Sequence, residues 1–395
     1  MNFHVIGIDD NREQSFSEEV ASLITSHTVF SGGVRHHEIM RPYLPAGYEW
    51  IDITVPLDDV FRRYEAYDDV IVFASGDPLF FGFANTIRRK MPDAGLRVYP
   101  FFNSLQLLAH RLLSPYHDMH VVSLTGRSWN AFDEALILGY GTIGLLTDKK
   151  QHTPRDIAAR MLEYGYDNYT MSIGELLGNK EQERVITLSI QEAAQQSFAF
   201  PNCIMLRQTA RRARPFGIPD AEFHLLNGRA KMITKMPVRL VTLHALDLRD
   251  RNVFWDIGFC TGSVSIEARM QFPHLKVYAF EKRTEGAELM AKNSRRFGVP
   301  GIETFIGDFT EIDISMLPPP DTVFIGGHGG QMKEIIGRLE AKMPRGAVVV
   351  FNSVSEASRA LFLESLDKER WTTVESIAVR VDDFNRIEVM RCKRK

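Results

Sequence analysis

Phe254-Trp255-Asp256-Ile257-Gly258-Phe259-Cys260-Thr261-Gly262-Ser263-Val264-Ser265-Ile266-Glu267 is the stretch that decides the fold. Its start reads as a buried strand closed by an acid, its middle as a turn bracketed by Gly258 and Gly262, and its end as the beginning of a helix. Glycine lets a backbone turn sharply and come close to a ligand, and the following helix aims its free N–H groups at that ligand. Such a unit is a nucleotide-type cofactor site at the carboxyl end of the first strand of an α/β sheet. The order D-I-G-x-x-T-G differs from the G-x-G-x-x-G of dinucleotide folds. It fits the turn that holds the amino-acid part of S-adenosylmethionine (SAM). Any α/β protein can also carry a strand, turn and helix without a ligand.

Working outward, the next strand, Lys276 to Glu281, also ends in an acid. Glu281 lies about twenty residues past the turn, where nucleotide folds place a carboxylate on ribose hydroxyls. The alternative is an exposed strand-end acid. Gly307-Asp308 closes another strand, and Asp308 is placed to accept from an adenine amine. Thr322 to Gly330 is a buried strand with a glycine-rich end that includes His328, and Ala347 to Ser353 is a further strand. Ile377 to Val379 and Glu388 to Met390, separated by Asp382-Asp383, predict a terminal antiparallel pair.

The upstream half also alternates strands and helices, so it is α/β. Phe3 to Ile8 and Val70 to Ala74 read as strands, and Ser17 as the N-cap of a helix. Val70 to Ala74 runs into Ser75-Gly76-Asp77-Pro78-Leu79, at the strand end where open sheets bind ligands. Pro78 suits the first position of a helix running to about Arg89, and Asp77 is then either its cap or a ligand contact. The adjacent His36-His37 has no ligand spacing and reads as surface.

The 395 residues suggest two or three domains. The 44% hydrophobic and 25% charged content is that of a globular chain with real cores. A net charge of −3 and the lack of a basic stripe argue against nucleic acid as a partner. The three scattered cysteines give neither a metal spacing nor a disulfide framework, so no metal is expected. There is no signal peptide pattern and no membrane-length apolar run. A reducing cytoplasm is the expected location and no membrane partner is expected. Residues 208–219 are basic and broken by proline and glycine, which marks the junction. Arg211, Arg212 and Arg214 there are either solvated linker or contacts for an acidic substrate.

Over residues 1–208, the segments G-D-P-L-F-F-G, N-S-L-Q-L-L-A-H-R, V-V-S-L-T-G-R and L-L-T-D resemble the tetrapyrrole methylases. Within them the likeness is to the cobalamin-pathway C5-methyltransferases (CbiE). Over 217–395, I-T-K-x-x-V-R, D-I-G-x-x-T-G-S-V-S-I-E, F-I-G-G-x-G-G and V-V-F-N-S-V resemble the C15-methyltransferase and decarboxylase family (CbiT). The order of the two is that of the fused, decarboxylating precorrin-6Y methyltransferases.

The resemblance implies a two-lobed tetrapyrrole-methylase fold at 1–208, a linker at 209–216, and a Rossmann-like SAM methyltransferase domain at 217–395. It implies SAM as cofactor, a corrin precursor as small-molecule substrate, methylation at C5 and C15 with loss of carbon dioxide from the C12 acetate, and a homo-oligomer. Cofactor contacts are expected at Gly76, Asp77, Pro78, Leu79 and Ser104 in the first half. In the second they are expected at Thr234, Asp256, Gly258, Thr261, Gly262, Glu281 and Asp308. Lys235, Arg239 and His328 are candidates for carboxylate contact or proton handling, and each could equally be structural or exposed.

The sequence departs from the family at Gly7 to Asn11, where a second glycine is more usual, at Asn103 in place of serine, and at Cys260 in place of glycine. The rival readings are a fused SAM methyltransferase of another substrate, such as RNA, and a one-site enzyme whose other half serves only in assembly. A nicotinamide dehydrogenase is disfavoured because no G-x-G-x-x-G follows a strand.

Overall fold

The computed structural model describes residues 1–229, 232–382 and 386–395. Asp383, part of the expected separator near the carboxyl end, lies outside them. The chain divides into two compact units. The first comprises Met1–Arg127, Tyr140–Arg160 and Asp167–Ala210, and the second Ser128–Gly139, Met161–Tyr166 and Arg211–Lys395.

The first unit holds two sheets. One contains β1 (Asn2–Ile8), β2 (Val29–Gly32), β3 (Glu49–Asp52), β4 (Asp69–Ser75) and β5 (Gly95–Tyr99), in the order β3-β2-β4-β1-β5 and parallel throughout. Parallel sheets are covered on both faces, which is why β1 and β4 are nearly continuous apolar runs. The alternation along β1 sends Phe3 and Val5 into one core with Tyr64 and Ile87. Ile6 and Ile8 go into another with Phe30 and Phe73.

Ser17 caps the helix Glu18–Ser26, its side chain accepting from the Val20 N–H. The helix after β4 begins at Phe83, not at Pro78 as the sequence suggests. The cause is local. The Asp77 carboxylate takes the Leu79 N–H at 2.8 Å and the Asp77 carbonyl takes the Phe80 N–H at 3.0 Å, so the chain closes a turn before any helix forms.

The other sheet of this unit contains β6 (His120–Ser123), β7 (Thr142–Leu146), β8 (Tyr169–Glu175), β9 (Arg184–Ser189) and β10 (Asn202–Gln208), in the order β6-β7-β10-β8-β9. Only the β6–β7 pair is parallel.

The second unit is built on β11 (Val253–Ile257), β12 (Lys276–Glu281), β13 (Ile302–Ile306), β14 (Thr322–Ile325), β15 (Val348–Ser353), β16 (Glu375–Val379) and β17 (Ile387–Lys393). Their order is β13-β12-β11-β14-β15-β17-β16. The strands β11 to β15 pair in parallel, and the expected antiparallel pair closes the edge as β16 and β17. The order reverses between β12 and β14 on either side of β11. That is the switch point at which a crevice opens beyond the strand ends.

Candidate functional site

In the second unit this crevice is a cleft of about 290 Å³ at the ends of β11, β12 and β14. Thr234, Gly258, Cys260, Thr261, Glu281, Asp308, Gly327 and His328 are among its lining residues. Gly258 has a φ of +79°, and a Cβ there would stand 2.6 Å from the Gly327 nitrogen. Only glycine allows the two strand ends to approach so closely. Cys260 holds a φ of +52° without being glycine, at a cost of about 1–2 kcal/mol.

The turn nevertheless persists, because its groups are held. The Cys260 N–H donates to Glu281 Oε2 at 2.9 Å and the Gly258 N–H to the Phe280 carbonyl at 2.7 Å. Glu281 is 4% exposed, and its Oε1 accepts from the Arg283 backbone at 3.0 Å. The strand-end acid therefore braces the turn and presents its remaining acceptor capacity to the cleft.

A nucleotide-type cofactor fits what these residues offer. The glycine cradle leaves room that any side chain would fill. Thr261 Oγ1, buried in the wall, has no hydrogen-bond partner among the described residues, so it is a polar atom waiting for one.

The other sequence candidates divide. Gly262 is the N-cap of the helix Ser263–Gln271, at a φ of +76°. Asp256 does not reach the cleft, contrary to expectation. It is fully buried and accepts from Ser265 Oγ at 2.5 Å, and burial pushes its carboxyl up to about 7. Asp308 lines the cleft, but its carboxylate is engaged by Lys282 Nζ at 2.7 Å and by Thr310 Oγ1 at 2.7 Å, which hold it well below the usual carboxylate range.

His328 lines the cleft with Nδ1 accepting from the Gly330 N–H at 3.1 Å. Burial lowers its pKa, so the ring is neutral at neutral pH with its proton on Nε2. Lys235 lies 3.6 Å from Asp220 and is not part of the lining. Arg239 is likewise not a substrate contact. It is 0% exposed, and its donors go to Glu267 Oε2 at 2.5 Å, Asp220 Oδ1 at 3.2 Å, the Thr234 carbonyl at 2.8 Å and the Ile218 carbonyl. Glu267 in turn accepts from the Gly217 and Ile218 N–H groups. This buried pair fastens 217–220 and the Thr234 segment over the sheet. Arg212 is spent in the same way, on the Tyr164 and Gly165 carbonyls.

The first unit has its own cavity, of about 480 Å³. Asp9, Asp10, Arg35, His36, Ser75, Gly76, Asn103 and Ser104 are among its polar lining, and Phe80, Phe81, Phe102 and Phe200 supply apolar wall. Its floor is tight. A Cβ at Gly7 would overlap the Gly76 carbonyl oxygen and stand 2.8 Å from the Phe101 nitrogen. Asn103, the departure from serine, caps the helix Ser104–Arg111 by accepting from the Gln106 N–H at 3.0 Å, a task the two residues perform equally well.

Gly76 and Ser104 thus line the cavity as expected, while Asp77, Pro78 and Leu79 do not. Asp77 closes its own turn, Pro78 is buried beneath it, and Leu79 points outward at 47% exposure. The reading of His36-His37 as surface is corrected. His36 lines the cavity with Nε2 at 2.9 Å from Ser75 Oγ, whereas His37 stacks on Trp50 at 4.1 Å between ring centroids. The one signal for this in the sequence was position: Arg35 and His36 directly follow a strand end marked by Gly32-Gly33.

Among the described residues no helix is long and apolar enough to cross a membrane, and no group of three or more His, Cys, Asp or Glu is placed to hold a metal.

Comparison with known proteins finds two family models along the chain. Residues 5–194 match the model of the tetrapyrrole (corrin/porphyrin) methylases, and residues 227–383 that of a precorrin methyltransferase domain. A precorrin-6Y C(5,15)-methyltransferase [decarboxylating] of a Sinorhizobium species is 29% identical over 91% of this chain and 86% of its own. A probable cobalt-precorrin-6B C(15)-methyltransferase (decarboxylating) of Pyrobaculum calidifontis is 34% identical over 39% of this chain and 80% of its own. A solved structure of a precorrin-6y C5,15-methyltransferase from Geobacter metallireducens shares 32% identity over 46% of this chain and 98% of that one, with a TM-score of 0.42.

Proposed function

We propose that this chain, which belongs to the decarboxylating precorrin-6Y C5,15-methyltransferase family, methylates a corrin precursor at C5 in its first unit and at C15 in its second. Loss of carbon dioxide from the C12 acetate accompanies the C15 step. The observation that carries the reading is the pair of strand-end cavities, one in each unit, each with a glycine backbone too crowded for a side chain.

SAM, when bound, supplies an activated methyl group that an electron-rich corrin carbon can take directly. The protein's part is then to position, to exclude water and to orient carboxylates. In the second unit Gly258, Thr261, Gly262 and Glu281 would hold the cofactor, with Thr234 and Asp308 at its margins. The neutral His328 donates from Nε2 toward a substrate carboxylate. In the first unit Gly76 and Ser104 would hold the cofactor. No side-chain nucleophile is required.

Mass spectrometry of products from a precorrin-6-type substrate tests this. The reading expects two added methyl groups and the loss of one carbon dioxide. A product with added methyl groups but no decarboxylation, or no product at all from a folded chain with SAM, refutes it.

A further inference from the structure

Ser75 closes β4 beside Gly76 and lines the first unit's cavity. Two side chains from the helix Val34–Met40 converge on its hydroxyl. Arg35 Nη2 lies 2.8 Å and His36 Nε2 2.9 Å from Ser75 Oγ. The direction of both hydrogen bonds follows from their surroundings. Arginine only donates. His36 Nδ1 accepts from the Gly33 N–H at 3.3 Å, and a backbone N–H can only donate. The imidazole proton therefore sits on Nε2 and points at Ser75. Burial holds the His36 pKa down at about 4, so this neutral tautomer persists at neutral pH.

A serine hydroxyl has two acceptor lone pairs and one proton. Both lone pairs are taken, so the proton is directed away from Arg35 and His36, toward the cavity. Arg35 is itself fixed, with Nη1 on Asp10 Oδ1 at 3.0 Å and Asp10 only 3% exposed. The charge of Arg35 is thereby spent within the protein, and what the cavity receives is an oriented neutral donor.

Resting on the function proposed above, we infer that Ser75 is a positioning donor for the tetrapyrrole, its hydroxyl binding a side-chain carboxylate oxygen of the substrate at the C5 site. The cofactor's own carboxylate is the other possible acceptor of the same chemistry. The tetrapyrrole is favoured because Ser75 Oγ belongs to the hydrogen-bonded cluster of Arg35, His36 and Asp10, none of them a proposed cofactor contact, while Gly76 and Ser104 would hold the cofactor.

The test uses the full chain. A hydrogen bond to a charged acceptor predicts that Ser75→Ala raises KM for the tetrapyrrole in C5 methylation by about tenfold or more. SAM affinity at the first site, read by calorimetry, should stay within about twofold, which also reports that the unit is folded. His36→Leu frees one lone pair and lets the hydroxyl rotate, so it should raise KM by roughly threefold in the wild-type background and not at all in Ser75→Ala. Three results overturn the inference: an unchanged KM in Ser75→Ala, a loss of SAM affinity in place of tetrapyrrole affinity, or an equal cost of His36→Leu in both backgrounds. Absence of C5 methylation by the wild-type chain would instead refute the underlying function, so the two failures are told apart.

Discussion

The two cavities serve the same proposed chemistry with different construction. In the second unit the cleft grows from one sheet. The turn after β11 is braced by Glu281 at the end of the neighbouring strand, and the chain above it is fastened by the buried Arg239–Glu267 pair. In the first unit the lining runs from Ile8 to Cys203 and draws on two sheets, and its polar end is a hydroxyl gripped by an arginine and a histidine. The first is larger and richer in exposed aromatic wall, with Phe81 and Phe102 close to half exposed. The difference teaches that a cofactor turn can be secured by a carboxylate within one sheet, whereas a cavity between sheets depends on close backbone packing at Gly7 and Gly76.

The largest expected effect concerns the fastening of the second unit. Arg239→Ala leaves the Glu267 carboxylate buried without its cation, which costs about 3–5 kcal/mol. Urea denaturation should show this loss in the second unit, while SAM binding by the first is kept. A weakened tetrapyrrole KM with unchanged stability would return Arg239 to the substrate.

Next come the two crowded glycines. Gly258→Ala should cost the second site about a hundredfold or more in SAM affinity, on the order of 3 kcal/mol, and spare the first. Gly7→Ala should do the reverse. Calorimetry on both variants checks the crossed pattern, and an effect of either glycine on both sites would break the comparison.

The smallest is a pH dependence confined to the second unit. The folded Asp256 carboxyl is raised to about 7, above its unfolded value near 4. The folded state therefore holds the extra proton between those values, and the stability it contributes, full below about pH 4, is lost as pH rises to about 7. Asp256→Asn carries no such proton. Its melting temperature relative to wild type should climb between pH 4 and 7 and level off above that. A flat difference would mean that the carboxylate is stabilised in place.

The same contrast explains what was legible in the sequence. The β11 turn, its helix and Glu281 are close in the chain, so strand ends and glycines were enough to read them. The first cavity brings together residues almost two hundred positions apart, and no local pattern distinguishes His36 on Ser75 from His37 on Trp50. Asp256 looked like a ligand because it ends a strand beside a glycine turn, but its side chain turns to Ser265 and the helix. Arg239 looked like a substrate contact because it is basic. Its place beside Val238 and Thr242 on the buried face of the helix Met236–Ala245 is what commits it to Glu267.

The central claim is that each unit holds its own SAM site, and titration calorimetry tests it most directly. Wild type should bind two SAM molecules per chain. Glu281→Ala removes the acid that braces the Cys260 turn and faces the cleft. At a cost of roughly 1.5–3 kcal/mol, affinity at one site should fall by about tenfold or more and the other should be unchanged. A single site in wild type, or loss of both sites in a folded Glu281→Ala chain, would contradict the account.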